Sequence, residues 1–266
     1  MPDKVDLYNT SYGNAEIRLY SDIRCETYGY DLGQTSWVSS EELAEIPRLL
    51  EISASSNVLD IGCGAGGYAL HFAATIGCRV TGIDVNEHGI HASEQSAHTR
   101  HLSDRARFLQ HDASMPLPFR DRTFDAAYSN DAFCHIPNRI ELLRECRRVL
   151  KSGGRLLFSD ALVVNGAVSN EEIAIRSSIG YYVFVPRGEN EQFVRQAGLT
   201  LIQAQDTAER AASVSQRWRD ARASRKRELC KIEGETNFEG LQRFLAFVHT
   251  LTREKRLARF VYVVVS

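Results

Sequence analysis

Between Asn57 and Asp160, short apolar runs alternate with longer stretches whose apolar residues recur every three or four positions. That rhythm predicts repeated βαβ units and a parallel sheet. Five strands are expected: Asn57–Ile61, Arg79–Ile83, Ala106–Gln110, Phe124–Ser129 and Arg155–Ser159. Helices are expected between them over Gly67–Thr75, Glu87–Leu102 and Asn138–Leu150. In the last of these, Ile140, Leu143 and Val149 fall near helical spacing, and Gly153-Gly154 supplies a stop. Met115-Pro-Leu-Pro118 predicts a loop, since two prolines interrupt a helix or a central strand.

The flanks carry a weaker pattern. Ser39-Ser40 followed by Glu41-Glu42 predicts a helix start, with Leu43, Ile46, Leu49 and Leu50 on one face. After Asp160, a helix is expected over Glu191–Ala197, a strand over Leu199–Gln203, a long polar helix over Ala208–Lys231, a helix over Phe238–Leu251 and a closing strand over Phe260–Val265. There is no internal repeat. A single domain is therefore expected across residues 1–266, with an N-terminal lid and helix (1–50), a core (55–160), a cover (161–258) and a last strand (259–266).

Composition narrows the class without naming it. The chain has 266 residues, 43% hydrophobic and 25% charged, which is globular rather than disordered. A net charge of −2 gives no global field to attract nucleic acid or an anionic membrane. No apolar run is long enough to span a bilayer. The N-terminus carries no basic, then apolar, leader. Six scattered cysteines without a C-x-x-C pair suit reduced thiols and a cytoplasmic protein.

The strongest chemical signal is Val58-Leu-Asp-Ile-Gly62-Cys-Gly64-Ala-Gly66-Gly67, where a buried strand turns into a helix. Gly62, Gly64 and Gly67 satisfy G-x-G-x-x-G, so the glycines alone admit a dinucleotide. Asp84, ending the second strand about twenty residues on, is placed to accept hydrogen bonds from ribose hydroxyls of NAD or another nucleoside. Asp60 favours the second, because a carboxylate repels a pyrophosphate but attracts an ammonium or sulfonium.

At this point the chain resembles the class I S-adenosylmethionine-dependent methyltransferases, whose first motif reads much like Asp60-Ile-Gly-Cys-Gly64-Ala-Gly66. The resemblance is clear over 55–160. It implies a Rossmann-like α/β fold: a seven-stranded, mostly parallel sheet with helices on both faces and a helical lid. It also implies that Asp60, Gly62, Cys63, Gly64 and Gly66 line the methionine portion of S-adenosylmethionine. Asp84 with Val85 would hold the ribose, Asp112 and Ala113 the adenine, and Ser129 would close the pocket. S-adenosylhomocysteine would be the product.

In such a sheet, Gly62–Gly66 and Ser129–His135 face one crevice. Within the family, Tyr128-Ser-Asn-Asp131-Ala-Phe-Cys-His135 resembles the small-molecule phosphoethanolamine and sarcosine/dimethylglycine type. Tyr20 and Tyr28 resemble the tyrosines of that subgroup's lid, although Trp37-Val-Ser-Ser40 lacks its paired glycines. This implies a small-molecule acceptor, with an amine nitrogen as the leading choice. His135 is a candidate proton acceptor, helped by Tyr20, and Asp131 a candidate ammonium ligand.

Tyr28, Tyr30, Trp37, Tyr181, Tyr182 and Phe184 come from the two covering segments, where aromatic rings can surround a methylated cation. Tyr28, Trp37 and Tyr181 are therefore candidate substrate contacts. Arg187 and Arg176 could meet an acidic group, Arg187 being the candidate carried forward and surface exposure the default for both. The basic run Arg217–Arg227 is interrupted and flanked by acids and predicts a solvated helix face rather than a nucleic-acid surface. His88, His91, His98 and His101 share a helix without accompanying carboxylates, so no metal site is expected. The alternatives are O- or C-methylation of a secondary metabolite, an NAD-dependent oxidoreductase, or a non-catalytic adenosyl-binding module. Oligomeric state is not encoded in these motifs.

Overall fold

A computed structural model describes residues 4–266. The chain opens with two helices, α1 (Tyr8–Gly13) and α2 (Arg18–Tyr28). Next comes α3 (Ser40–Leu49), whose start is fixed by a capping box between Ser39 and Glu42. The alternating core follows as β1 (Asn57–Ile61), α4 (Gly67–Thr75), β2 (Arg79–Asp84), α5 (Glu87–Thr99), β3 (Ala106–Gln110), β4 (Phe124–Ser129), α6 (Arg139–Val149) and β5 (Leu150–Val164). The rest of the chain adds α7 (Asn170–Arg176), β6 (Val185–Pro186), α8 (Glu189–Gln196), β7 (Thr200–Asp206), α9 (Ala208–Ala223), α10 (Lys226–Glu233), α11 (Glu235–Arg253) and β8 (Leu257–Val265).

Strand order is β3-β2-β1-β4-β5-β8-β7, with the two-residue β6 pairing the end of β5. The pairs among β1 to β5 are parallel, and β8 runs antiparallel to both β5 and β7. The five core strands and the two late ones thus stand where periodicity and resemblance put them. In β1, Val58, Leu59 and Ile61 have no exposure at all, because helices cover both faces of the sheet. One cluster packs β1, β4 and β5 against α6 and α8, and a second packs them against α3 and α4. A third joins α2, α9 and α11 over the carboxyl ends of the strands, with Trp37 and Ile179 among its members.

Three departures from the sequence pattern have local causes. The stop expected at Gly153-Gly154 is a bulge: α6 passes directly into β5, with the register shifting between Phe124 and Ala126 opposite it. The long helix expected over Ala208–Lys231 breaks after Ala223. In one straight helix, Arg222 and Glu233 would lie roughly 16 Å apart along the axis; the break brings them together as a buried ion pair. Helix α7 is absent from the periodicity reading, yet Ser169 and Glu172 form its capping box, and that S-x-x-E signature is visible in sequence.

The basic run is absorbed by the fold. Arg219 pairs with Asp220, Arg222 with Glu233, Arg225 with Glu26 and Lys226 with Glu239. No helix among the described residues is long and apolar enough to cross a membrane.

Candidate active site

The sheet order reverses between β1 and β4, and the loops leaving those strands diverge there into one cavity of about 330 Å³. Its floor is Asp60, Gly62, Cys63, Gly64 and Ala65 after β1, Asp84 to Asn86 after β2, and His111 to Ala113 after β3. Asn130 to Ala132, Cys134, His135 and Ile136 form the wall after β4. Tyr8, Tyr12, Gly33–Trp37, Arg176 and Ile179–Tyr182 close it from above.

The glycine turn fits a ligand pressed against backbone. Gly62 has φ +77°, and a Cβ there would stand 2.3 Å from Cβ of Ala132. Gly64 has φ +54°, and a Cβ there would meet the Tyr12 hydroxyl at 2.6 Å. No other residue type suits those two positions. Gly64 N–H and Asn86 N–H each donate to the Asp84 carboxylate at 2.8 Å, which fixes its orientation at the cleft edge. Asp60 is 2% exposed and accepts a 2.8 Å bond from the Tyr128 hydroxyl to Oδ2; Oδ1 has no partner among the described residues. Burial, with the nearby Asp84 charge adding to it, raises its pKa to about 8. A carboxylate so placed is completed by a cation. This is the observation that fits S-adenosylmethionine and disfavours a pyrophosphate.

On the β4 side, His135 Nδ1 lies 2.9 Å from the Tyr181 carbonyl, and Nε2 lies 2.8 Å from the Tyr8 hydroxyl. A carbonyl only accepts, so Nδ1 carries the proton and Nε2 accepts from Tyr8. Desolvation lowers the His135 pKa to about 4, Arg176 adding to the effect, so the ring is neutral at physiological pH with its lone pair aimed at Tyr8. The phenol pKa of Tyr8 is raised by burial.

Several expectations are corrected. Tyr20 is outside the cavity, buried against Glu233, to which its hydroxyl donates. Asp131 borders the cavity, but its carboxylate is already engaged: Oδ1 meets Arg259 Nε at 2.7 Å and Ser159 Oγ at 2.9 Å, and Oδ2 accepts Trp37 N–H at 2.8 Å. Ser129 does not close the pocket; its hydroxyl turns back to the Ile61 carbonyl. Gly66 lies behind the turn, against Ser93 and Phe108. Tyr28 supports the lid from outside, donating to the Ser36 carbonyl. Arg187 is exposed and stacks on Phe260, away from the cavity. By contrast, Trp37, Tyr181, Val85, Cys63, Asp112 and Ala113 do line it. Tyr8 and Tyr12, which sequence reasoning passed over, stand one helical turn apart on α1.

Of the six covering aromatics only Trp37 and Tyr182 face a cation, together with Phe244, and that cation is the protein's own Arg176. Cζ of Arg176 lies 4.8 Å from the Tyr182 ring centroid, 5.0 Å from Phe244 and 6.0 Å from Trp37. Arg176 is 2% exposed, which overturns the surface reading. Four other arginines are also buried, and each has a carboxylate: Arg24 with Asp31, Arg139 with Asp160, Arg222 with Glu233, and Arg259 with Asp131 and Glu42. Arg176 has none within ion-pair distance among the described residues, and its Nη1 has no hydrogen-bond partner. Ring faces attract a cation by about 0.5–2 kcal/mol. They do not satisfy N–H donors, and an unsatisfied buried donor costs about 1–3 kcal/mol, more when charged.

Comparison with known proteins identifies the family. A methyltransferase-domain family model matches residues 59–158. An O-methyltransferase of Aspergillus nomiae is 30% identical over 171 residues, 64% of this chain and 76% of that protein. The glycine/sarcosine/dimethylglycine N-methyltransferase of Actinopolyspora halophila is 28% identical over 221 residues, 81% of this chain but 38% of that protein. Among solved structures, phosphoethanolamine N-methyltransferase 2 of Haemonchus contortus, with S-adenosylhomocysteine and phosphomonomethylethanolamine bound, superposes with TM-score 0.80 at 21% identity. That match spans 97% of this chain and 59% of the other. The chain belongs to the class I S-adenosylmethionine-dependent methyltransferases. It is an enzyme that uses S-adenosylmethionine, which removes the NAD-dependent and non-catalytic readings.

Proposed function

We propose that the protein methylates a small molecule at an oxygen, with Tyr8 and His135 accepting its proton. The observation that carries this reading is the Tyr8–His135 pair in the cavity, with the imidazole kept neutral by burial and its tautomer fixed by the Tyr181 carbonyl. Asp60 and the Gly62–Gly64 backbone would hold the aminoacyl end of S-adenosylmethionine, Asp84 its ribose, and Asp112 with Ala113 its adenine. When bound, it supplies a methyl group on a sulfonium whose sulfur leaves as a neutral thioether. Trp37 and Tyr182 would cover the acceptor and exclude water, with Tyr181 at the mouth of the cavity.

The basicity of His135 favours oxygen over nitrogen. As the acceptor oxygen forms its bond to carbon, its own proton becomes far more acidic than any imidazolium. That proton passes to Tyr8 Oη while the Tyr8 proton passes to His135 Nε2. An ammonium with an ordinary pKa near that of lysine, about 10, would hold its proton against such a base. The amine reading also relied on Asp131, whose carboxylate is engaged by Arg259. The core 55–160 with its covers, residues 1–50 and 161–258, would act as one unit. The free thiols among the described residues suit a cytoplasmic setting.

The test is product analysis. Purified protein is incubated with methyl-labelled S-adenosylmethionine and separate pools of phenols and hydroxy acids, amines, activated-carbon acceptors and RNA. Label on oxygen, found by mass spectrometry, is the expected result. Label on nitrogen would restore the amine reading, and label on RNA would overturn the small-molecule one.

A further inference from the structure

Every buried arginine described above has an acid beside it except the one in the cavity. Arg176 stands at the carboxyl end of α7, enclosed by Trp37, Tyr182 and Phe244, with Nη1 unpartnered. The ring of Tyr182 borders both Arg176 and His135, whose ring centroid is 4.3 Å away. The free cation and the proton acceptor thus share one wall of the acceptor space. No carboxylate on that wall is free to receive a positive acceptor, because Asp131 is held by Arg259.

From this arrangement we propose that the acceptor is an anion whose oxyanion is received by Arg176: a small hydroxy or phenolic acid, carboxylate or phosphate, with its reacting oxygen directed to Tyr8. The assignment rests on the reading of this cavity as the site of O-methylation. Guanidinium donors lie in one plane and match two oxygens of a carboxylate or phosphate, which an aromatic ring cannot replace. An oxyanion on Arg176 would lie across the Tyr182 ring from His135, which places the acceptor's acid group and the proton acceptor on one wall.

The test uses the full chain saturated with S-adenosylhomocysteine. Isothermal titration compares hydroxybenzoates and small aliphatic hydroxy acids with their primary amides, and phenyl phosphate with phenol. In the wild type, at least one acid series is expected to bind about 10–100-fold tighter than its uncharged partners. Whether carboxylates or phosphate show the preference identifies the oxyanion. Arg176→Gln should abolish the preference, and Arg176→Lys should retain part of it.

Because Arg176 has no counter-ion, Arg176→Met should melt at or above the wild-type temperature, whereas a purely structural arginine would lower it. If neither acid series binds better than its neutral partners, or if the preference survives Arg176→Gln, the assignment is wrong. Failure of S-adenosylhomocysteine itself to bind would instead defeat the reading of the cavity as a methyltransferase site. The two failures are therefore distinguishable.

Discussion

Arg259, on the last strand, places Nε 2.7 Å from Oδ1 of Asp131, on the loop after β4, and the two side chains are 1% and 7% exposed. The same guanidinium reaches Glu42 on α3, and Asp131 Oδ2 in turn holds the Trp37 backbone N–H. One cation thus ties the sheet, the N-terminal cover and the acceptor loop together. Arg259→Leu leaves two buried carboxylates without their partner and should destabilise the protein by about 3–5 kcal/mol, read from urea unfolding. A loss below about 1 kcal/mol would mean that water or another group compensates the carboxylates.

Tyr8→Phe and His135→Ala should each lower kcat by about 10²–10⁴ while leaving S-adenosylhomocysteine affinity nearly unchanged. Because the two act in series on one proton, the double variant should be little worse than either single one. The wild-type rate should show no inflection near pH 6.5 from His135, which protonates only as pH falls toward about 4. Multiplicative losses in the double variant would show that the residues act independently.

Binding of S-adenosylhomocysteine should depend on pH through Asp60. With a pKa of about 8, the ligand-free carboxyl holds a proton over most of the neutral range. That proton must leave before the carboxylate can meet the ligand's ammonium. Affinity should therefore rise as pH increases toward 8, up to about tenfold per unit, with release of one proton. Calorimetry in buffers of different ionisation enthalpy reads that proton directly. Asp60→Asn should bind weakly, with no slope; an unchanged slope would assign the proton to another group.

Tyr20→Phe is a control for the corrected assignment. The Tyr20 hydroxyl donates to Glu233 beneath α2, outside the cavity. Its removal should leave kcat/KM within about twofold and cost about 1 kcal/mol of stability at most. A large fall in kcat with unchanged stability would bring Tyr20 back into the chemistry.

The elements most legible in sequence were those whose local pattern and tertiary role agree. β1, the glycine turn and α4 carry apolar periodicity, a sharp turn and a functional acid in one continuous run from Asn57 to Thr75, so each signal reinforces the others. The upper half of the site was less legible because its pairings are long-range. Tyr8 meets a histidine 127 positions away, and nothing near Tyr8 announces that partner. Asp131 looked free because Arg259 is 128 positions distant. The ordinary preference of arginine for water holds for most positions and hides Arg176, whose burial is the informative fact. Tyr20 and Tyr28 stand out in sequence as tyrosines of the leading segment, yet the helix that faces the cavity is the one before them.

Tyr12 lies over Gly64, and Tyr8, one turn earlier on the same helix, completes the hydrogen bond to His135. A single six-residue helix thereby touches both halves of the reaction chamber. Were α1 to lift away, the floor for the methyl donor and the proton acceptor would be uncovered together. If Tyr8 and His135 move the proton as proposed, the same short helix that roofs the donor site also completes the base, so donor cover and proton acceptor are assembled by one element.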